Sequence, residues 1–545
     1  MTGYIRLEGV NIYDNLDDTD QLSVIRGGSL FLKDAVTFVA KEFEKDAVEP
    51  ISTGASLGLY QVKTPGLTQE KLDQLCESIQ RELQNHSNYS LLPFTLVSLI
   101  SNGSFLEAEQ ELTALSRFQQ LQQLTFSADQ TTSASAPCSV QGVRPGVTTS
   151  DWLPRDLQGL PVSQSVAARA RAGVEQRRDF LPGIENLLGQ EEVVTLSRNL
   201  TSIGNNPEMK NLHGKVALIY FDGNSFGKLR ETLIGGETAE EEIKSYQAFD
   251  DQMQQLRTNL LENWVSHIQY RLKQAKAIDN IEDQDKAIAQ YLYRDTDNNE
   301  WQLRFETLLW GGDELLFVLP AWQGFEFLQF FNQQTTRDSW KISIPHIKST
   351  EPLAPMTHAG GMVFCKAKTP IFRIRDIARE LADKTKDQID GRKQNLFDLM
   401  GLESVDFPAE PLDVFREKTY GSALMKERSA INADNSLYFS ELACKLGSLP
   451  RSQIHQLCQK VIQHYQTTML VDRSEPESLI QQGEARLCRL LGKIKFKELK
   501  TTLQLCFGEH ANETGWCWIL LREFWDYFEV TPPVVPATYY KEVQV

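Results

Sequence analysis

The sequence lacks the cysteine pairs of a metal knuckle or a disulfide-bonded protein. Its eight cysteines are scattered, and no Cys-x-x-Cys occurs anywhere in the 545 residues. Isolated cysteines are typical of a reducing compartment, so we expect a cytoplasmic protein. No apolar run reaches membrane-spanning length and no signal peptide opens the chain, so we expect no association with a membrane.

Positive charge is also scarce, because 56 Lys and Arg residues stand against 73 Asp and Glu, giving a net charge of −17. Broad nucleic-acid binding requires a basic surface that displaces phosphate counterions, so the balance argues against it. A local basic channel would be hidden by the total, and binding of nucleic acid is left open. The length allows three or four domains.

Two adjacent acids stand out between two strand-like runs, at 303–310 and 315–320, which are joined by Gly311-Gly312-Asp313-Glu314. The pattern predicts a β-hairpin whose glycines accept the positive φ of a two-residue turn. Adjacent carboxylates repel each other and are costly to desolvate unless a cation joins them. Mg²⁺, which prefers oxygen ligands, suits that place.

A second acid follows an apolar run at 215–221, which reads as a buried strand. The run ends at Asp222, and a carboxylate there beside an acidic hairpin is the arrangement of a two-metal nucleotidyl-transfer site. The alternative is an Asp that only caps the following helix.

The strand, Asp222 and the hairpin together resemble the palm domain of the GGDEF and type III CRISPR polymerase superfamily. The strand-like run at 358–365, the turn at Pro370-Ile371 and a helix from Ile374 to Lys386 continue the resemblance. This order is closer to the large, polymerase-like subunit of type III CRISPR effectors than to a diguanylate cyclase. It covers about residues 210–400 well and the rest loosely.

The resemblance implies a role for each motif residue. Two Mg²⁺ or Mn²⁺ ions would be bound by the catalytic acids and by one backbone carbonyl, and the remaining residues would bind the nucleotide. The acids are Asp222, Asp313 and Glu314, the carbonyl is that of Phe221, and the nucleotide-binding residues are Gly311, Gly312, Phe221, Asn224, Phe226 and Lys386, with Lys384 as the fallback for the triphosphate.

Some residues depart from the family patterns. Arg230 and Glu231 occupy the positions at which diguanylate cyclases read guanine, and Arg304 does not begin their Arg-x-x-Asp motif. Glu314 replaces the second Asp that is usual in the CRISPR subunit, which leaves the product open. A long helix is predicted at 239–277.

The N-terminal part looks like a second, degenerate palm. A strand at 4–11, a helix at 29–43 and a hairpin at 50–60 follow the same order, with Glu8-Gly9 against Asp222-Gly223 and no acids in the turn at 53–56. An unrelated α/β subdomain is the alternative. The segment 26–29, Arg-Gly-Gly-Ser, is either a phosphate-binding helix N-terminus or an ordinary glycine-rich cap.

The remaining segments carry weaker signals. Around Cys138 the sequence resembles half of the family's zinc knuckle, but Gln141 replaces the second cysteine, and we interpret it as a metal-free relic. Arg169, Arg171, Arg177 and Arg178 either contact phosphate or lie on a solvated helix. Helices are predicted at 454–470, 477–492, 496–507 and 516–528, with the aromatic residues of the last as core.

We therefore expect an α/β protein with α+β, ferredoxin-like palms. The expected domains are a degenerate palm at 1–128, a linker with the relic knuckle at 129–205, a catalytic palm at 206–405 and an α-helical domain at 406–545. The expected function is metal-dependent joining of NTPs, with ATP favoured by resemblance, into a cyclic di- or oligonucleotide messenger in antiviral defence. The alternative is a non-catalytic nucleotide sensor or scaffold subunit of a CRISPR-like complex. A homodimer or protein partners could bind through the C-terminal helices.

Overall fold

The computed structural model contains three β-sheets and a helical C-terminal part. It describes residues 2–10, 18–19, 21–54, 56–122, 136–147, 153–154, 157–176, 181, 184, 187–188, 193–296, 299–311, 313–336, 340–342, 344, 356–388, 391–403, 408, 410–426, 428, 430–467 and 476–535. The strands are β1 (Thr2–Gly9), β2 (Val48–Thr53), β3 (Leu57–Val62), β4 (Phe94–Ser101), β5 (Val194–Leu196), β6 (Lys215–Gly223), β7 (Leu292–Asp295), β8 (Glu300–Leu303), β9 (Glu306–Gly311), β10 (Glu314–Pro320), β11 (His358–Lys366), β12 (Leu396–Gly401) and β13 (Ile431–Asn432).

The helices divide between the sheets and the C-terminal part. Those among the sheets are α1 (Leu22–Glu42), α2 (Gln69–Asn85), α3 (Phe105–Gln120), α4 (Gln164–Glu175), α5 (Leu200–Gly204), α6 (Phe226–Leu233), α7 (Ala239–Lys276), α8 (Ile281–Ile288), α9 (Gly324–Thr335) and α10 (Ile371–Lys386). Those of the C-terminal part are α11 (Leu412–Tyr420), α12 (Ser422–Lys426), α13 (Phe439–Leu446), α14 (Arg451–Thr467), α15 (Pro476–Leu491), α16 (Lys493–Phe507), α17 (Glu509–Glu513), α18 (Trp516–Glu523) and α19 (Trp525–Glu529).

The two larger sheets share one strand order. The first sheet has the antiparallel order β2-β3-β1-β4, and the second has the order β13-β12-β11-β6-β10-β9. The run β9-β10-β6-β11 therefore repeats β2-β3-β1-β4, with a hairpin on one side and the later strand on the other. This repeat confirms the predicted fold class, an α+β protein with a palm and a second palm-like unit.

The repeat also shows how the first unit departs from an acidic site. Glu8 lies opposite Leu57 in the first sheet, whereas Asp222 lies opposite Glu314 in the second. The Glu8 carboxylate is 3.0 Å from the guanidinium of Arg6. An apolar residue thus stands where the second sheet has an acid, and Glu8 is already paired with a cation.

Strand β6 lies in the middle of the second sheet and is buried on both faces. Val216, Leu218 and Tyr220 point into one core, which α10 covers. Ala217 and Phe221 belong to the other core, which includes residues of α9 and the C-terminal helices. Burial on both faces explains why the run at 215–221 is continuously apolar instead of alternating.

Helix α7 links the two units. It is 38 residues long, within one residue of the predicted helix at 239–277. Its Glu242 accepts hydrogen bonds from the backbone N–H of Phe105 (2.7 Å) and the hydroxyl of Ser104 (2.9 Å), so it caps α3 of the first unit. Gln247 donates to the carbonyl of Pro50 at 3.0 Å. These bonds fix α7 against the N-terminal hairpin.

The predicted helix N-terminus at 26–29 is wrong. Helix α1 begins at Leu22 and not at residue 29, so the segment lies inside it. A β-carbon on Gly27 would overlap the carbonyl oxygen of Arg169, and one on Gly173 would overlap that of Ser23. The glycines therefore permit close packing of α1 on α4, and the segment is neither a phosphate site nor a cap.

The arginines of the predicted basic cluster do not form one surface. Arg169 is fully buried and bonds Asp18 at 2.9 Å, whereas Arg171 is exposed and pairs with Glu175 at 2.8 Å. Arg177 and Arg178 lie outside the described residues. Cys138 of the relic knuckle is buried, and its sulfur accepts the backbone N–H of Ser163 at 3.2 Å.

The C-terminal helices pack against the second sheet through aromatic residues. Phe325 of α9 stacks on Phe528 at 4.5 Å between ring centroids. The predicted aromatic core is confirmed, because Trp516, Trp518, Phe524, Trp525 and Phe528 are all buried. The predicted helix at 516–528 divides at Phe524 into α18 and α19, and β13 adds a strand from this part of the chain to the second sheet. Within the described residues, no helix is both long and apolar enough to cross a bilayer.

Candidate nucleotidyl-transfer site

The acidic hairpin is present and is tied to the end of β6. Strands β9 and β10 meet at the pair Gly311 and Glu314, and the backbone N–H of Gly223 donates to the carbonyl of Asp313 at 3.0 Å. Asp313 lies in the turn itself, while Glu314 is the first residue of β10. The turn is therefore one residue later than predicted: Gly311 belongs to β9 and is not among the described glycines with positive φ. Gly312 lies outside the described residues.

Asp222 lies beside Glu314 at the same end of the sheet. The two residues are direct partners in the antiparallel pair of β6 and β10. Partners of this kind project from the same face, with β-carbons about 5 Å apart. The predicted acids Asp222, Asp313 and Glu314 are thus brought together by the hairpin register.

Helix α10 places a lysine on this cluster. Lys386 Nζ bonds the carboxylate of Asp222, and both side chains are mostly buried. Lys384 does not reach the cluster, because its Nζ bonds Asp413 instead. Residues two positions apart on a helix point to nearly opposite sides, so only one of the two lysines can face the sheet.

Glu314 has partners that sequence reasoning missed. Its carboxylate accepts the phenol O–H of Tyr220 at 2.9 Å and lies 3.3 Å from the guanidinium of Arg379. Arg379 is seven residues, two helical turns, before Lys386, so helical periodicity could have indicated it. Burial and the charge of Glu314 raise the pKa of Tyr220, which keeps the phenol a hydrogen-bond donor.

The other predicted nucleotide-binding residues divide between structural and cavity positions. The Phe221 side chain stacks on Phe331 at 3.7 Å in the core, so only its backbone carbonyl could contact a ligand. Asn224 is buried and donates to Thr357 Oγ1 at 3.0 Å, which ties the end of β6 to β11. Phe226, in contrast, lines a cavity.

The turn after Asp222 is tightly constrained. A β-carbon on Gly223 would overlap the ring of Phe226 and lie 2.9 Å from the β-carbon of Asp313. Ser225 adopts the left-handed conformation, with φ 57°, immediately before α6. Left-handed backbone at a residue other than glycine is strained, and strain of this kind clusters at functional sites.

The acids repel each other. Burial raises the pKa of the Asp313 carboxyl, and the negative charge of Asp222 raises it further. A divalent cation would relieve this repulsion, and the donor set of three carboxylates suits Mg²⁺ or Mn²⁺. Among the described residues, however, no three acidic, His or Cys side chains are already converged as metal ligands. Lys386 bonds Asp222, and Tyr220 and Arg379 bond Glu314, so two of the three carboxylates are already paired with protein groups.

A cavity of about 630 Å³ opens beside the hairpin and reaches to the first unit. Its walls include Asp313 and Glu314 on one side and Ser52, Gly54 and Ser56 of the N-terminal hairpin on the other. Four arginines also line it, namely Arg230, Arg257, Arg375 and Arg379. The lining also holds three acids, Asp250, Asp313 and Glu314, so the cavity concentrates charges of both signs with the arginines in slight excess.

Arg257 is the most notable of these arginines. Its side chain is buried on α7, where burial lowers its pKa while the charges of Asp250 and Asp313 raise it. A buried guanidinium close to Asp313 is suited to bind phosphate oxygens. Nothing in the sequence pattern indicated it, because the docking of α7 depends on tertiary contacts.

No protein-family model and no curated protein matches the chain. Solved structures similar to it include Csm1 in T. onnurineus, at 14% identity and a TM-score of 0.47, covering 97% of this chain and 69% of that chain. A Csm1–Csm4 cassette in complex with cA4 is similar at 12% identity and a TM-score of 0.47, covering 96% and 70%. A type III-B Cmr-β structure in the apo state is similar at 10% identity and a TM-score of 0.44, covering 89% and 77%.

The similar structures are of the kind that the motifs predicted, large subunits of type III CRISPR complexes. At these identities and TM-scores they say nothing about the activity, ligands or partners of this chain.

Proposed function

We propose that the chain is a metal-dependent nucleotidyltransferase that joins nucleoside triphosphates into a cyclic di- or oligonucleotide. One observation supports this most strongly: the cavity beside Asp313 and Glu314 is lined by four arginines in an otherwise acidic protein. Arginines bind phosphate oxygens, and the acids provide oxygen ligands for the cations that accompany a triphosphate. The family resemblance favours ATP as the substrate.

The chain's own residues would perform most of the work by positioning. Asp222 and Asp313 would hold the cations, and Glu314 would join them after leaving Tyr220 and Arg379. Lys386 would move from Asp222 to the triphosphate, because a cation at Asp222 removes the partner that its ammonium now has. Bound Mg²⁺ or Mn²⁺ would activate the attacking ribose hydroxyl and stabilise the leaving pyrophosphate. Arg257 would bind phosphate oxygens from the side of α7.

By the same resemblance, the product would act as a second messenger in antiviral defence. The C-terminal helices would bind a protein partner or a second copy of the chain, and the protein would be cytoplasmic.

A second candidate is a nucleotide-binding sensor or scaffold subunit without turnover. The observation in its favour is that the Asp222 carboxylate is already bonded by Lys386 and the Glu314 carboxylate by Tyr220 and Arg379. If these bonds persist with nucleotide bound, the carboxylates could not converge on cations.

The test is incubation of the purified protein with each NTP, alone and mixed, in Mg²⁺ or Mn²⁺. Release of pyrophosphate would be measured, and products would be identified by mass spectrometry. Asp313→Asn should abolish release, whereas Asp279→Asn, the same change at an exposed loop position, should not. Nucleotide binding without pyrophosphate release would favour the sensor, and absence of both would contradict the proposal.

A further inference from the structure

One face of α7 forms a long wall of the cavity. Tyr246, Asp250, Met253 and Arg257 all line it, at spacings of four, three and four residues. These spacings place them on the same side of the helix. The backbone positions of Arg257 and Asp250 are two turns apart, about 10 Å along the helix axis. The Arg257 guanidinium, whose Nε donates to the carbonyl of Met253, lies within reach of the charges of both Asp250 and Asp313. The wall therefore leads from the acidic hairpin toward the N-terminal unit.

Asp250 at the far end of this wall has one hydrogen-bond partner. The hydroxyl of Ser52, on the N-terminal hairpin, donates to one of its carboxylate oxygens. The other oxygen has no hydrogen-bond partner among the described residues, and Asp250 faces the cavity. This carboxylate takes no part in the proposed transfer chemistry, yet it is held in a half-buried place where an ionised group is costly.

Arg230 lies across the same part of the cavity. Its guanidinium donates to the phenol oxygen of Tyr246 at 2.8 Å and is 3.6 Å from Glu109 of α3. These contacts fix a donor group near the acceptor oxygen of Asp250. This part of the cavity thus presents the acceptor oxygens of Asp250 and the donor groups of Arg230, and it lies on the side of the N-terminal hairpin.

We propose that Asp250 is the base-reading residue of this site and accepts a hydrogen bond from the exocyclic amino group of a purine nucleotide. The inference rests on the proposed function. A nucleotide with its phosphates at Asp313 and Arg257 extends its base along α7 toward Asp250. An ionised carboxylate only accepts hydrogen bonds, and carboxylates read bases by accepting from exocyclic amino groups. Arg230 would donate to an acceptor on the same base.

Adenine and guanine both carry an exocyclic amino group, and hypoxanthine carries none. ITP is therefore the probe that separates recognition of the amino group from binding of ribose and triphosphate. We would measure the affinities of ATP, GTP and ITP by calorimetry on the full-length protein, with Ca²⁺ in place of Mg²⁺ to suppress turnover. The same measurements would be made on Asp250→Ala, which removes the acceptor oxygens that Asn would retain, and on Asp251→Ala, which removes a carboxylate from an exposed neighbour outside the cavity wall.

In the wild type we expect ATP or GTP to bind about tenfold to a hundredfold more tightly than ITP, the factor for a hydrogen bond to a charged group. Whichever of the two binds more tightly identifies the base. Asp250→Ala should abolish that preference, and Asp251→Ala should retain it. Equal binding of all three nucleotides to the wild type would overturn the inference and leave the proposed function standing. A preference retained in Asp250→Ala, or an equal loss of affinity for all three nucleotides in that variant, would also overturn it. No binding of any nucleotide would contradict both.

Discussion

The most informative structural perturbation is Arg26→Met, because it breaks an ion pair between α1 and the acidic hairpin. Arg26 donates to both carboxylate oxygens of Glu306, the first residue of β9, and to the carbonyl of Gly173 at 2.6 Å. The side chains of Arg26 and Glu306 are 2% and 0% exposed. Methionine keeps much of the length and apolar volume of arginine but none of its charge.

The expected loss is large because Glu306 would remain buried without a cation. Removing one partner of a buried pair costs about 3–5 kcal/mol of unfolding free energy. Replacing both partners by apolar residues is often nearly neutral, so Arg26→Met with Glu306→Leu should recover most of the loss. The pair would then position the hairpin relative to α1 more than it stabilises the fold.

Urea unfolding followed by the fluorescence of the nine tryptophans measures this loss. We expect the midpoint of the unit that contains β9 to fall by about 1 M or more in Arg26→Met. Arg171→Met is the control, since it breaks an exposed Arg–Glu pair on α4 and should leave the midpoint unchanged. A loss of unfolding free energy below about 1 kcal/mol in Arg26→Met, or no recovery in the double variant, would contradict the expected cost of leaving Glu306 buried without its cation.

Three further predictions follow from single side chains. Lys386→Ala should weaken ATP binding about tenfold to a hundredfold, as for the loss of a charge-assisted hydrogen bond, whereas Lys384→Ala should bind ATP like the wild type; calorimetry compares the two. Burial lowers the pKa of His358 to about 4. Between about pH 4 and pH 6.5 this imidazole is therefore protonated in the unfolded chain and neutral in the folded protein. The contribution of His358 to the free energy of unfolding is fully present above pH 6.5 and decreases as the pH falls toward 4. This decrease is about 2 kcal/mol between pH 7 and pH 5. His358→Phe should have a shallower pH dependence of unfolding free energy, and an identical slope would contradict this assignment. Gly27→Ala should destabilise by about 1–3 kcal/mol or more, because the added carbon overlaps the backbone of α4; a melting temperature equal to that of the wild type would show that the helices can separate without cost.

Most of the second sheet could be predicted from the sequence because its strands have strong local signals. The apolar run at 215–221 is found as β6, which is two residues longer, and the acidic hairpin is found as β9 and β10, with its first strand beginning three residues later than predicted. The prediction for the segment 26–29 was wrong because a glycine pair followed by serine is locally typical of a helix start. In the structure these residues serve the close contact of α1 with α4, which no local pattern contains.

The site was predictable as far as its motifs extend. Asp222, Asp313, Glu314 and Lys386 are named by the motif order, and the structure places them together. Arg257 and Asp250 were not predicted, because they belong to α7, whose position depends on tertiary contacts. Glu242 of α7 caps α3, and Asp250 accepts a hydrogen bond from Ser52 of the N-terminal hairpin. Tertiary docking of this kind cannot be read from a single sequence.

The most direct test of the central claim is a structure of the protein with Mn²⁺ and a non-hydrolysable ATP analogue, using the anomalous signal of manganese to locate the ions. We expect two manganese peaks among Asp222, Asp313 and Glu314, with Lys386 moved from Asp222 to the triphosphate. A nucleotide bound elsewhere, or one in the cavity with Lys386 still on Asp222 and no manganese at the acids, would contradict it.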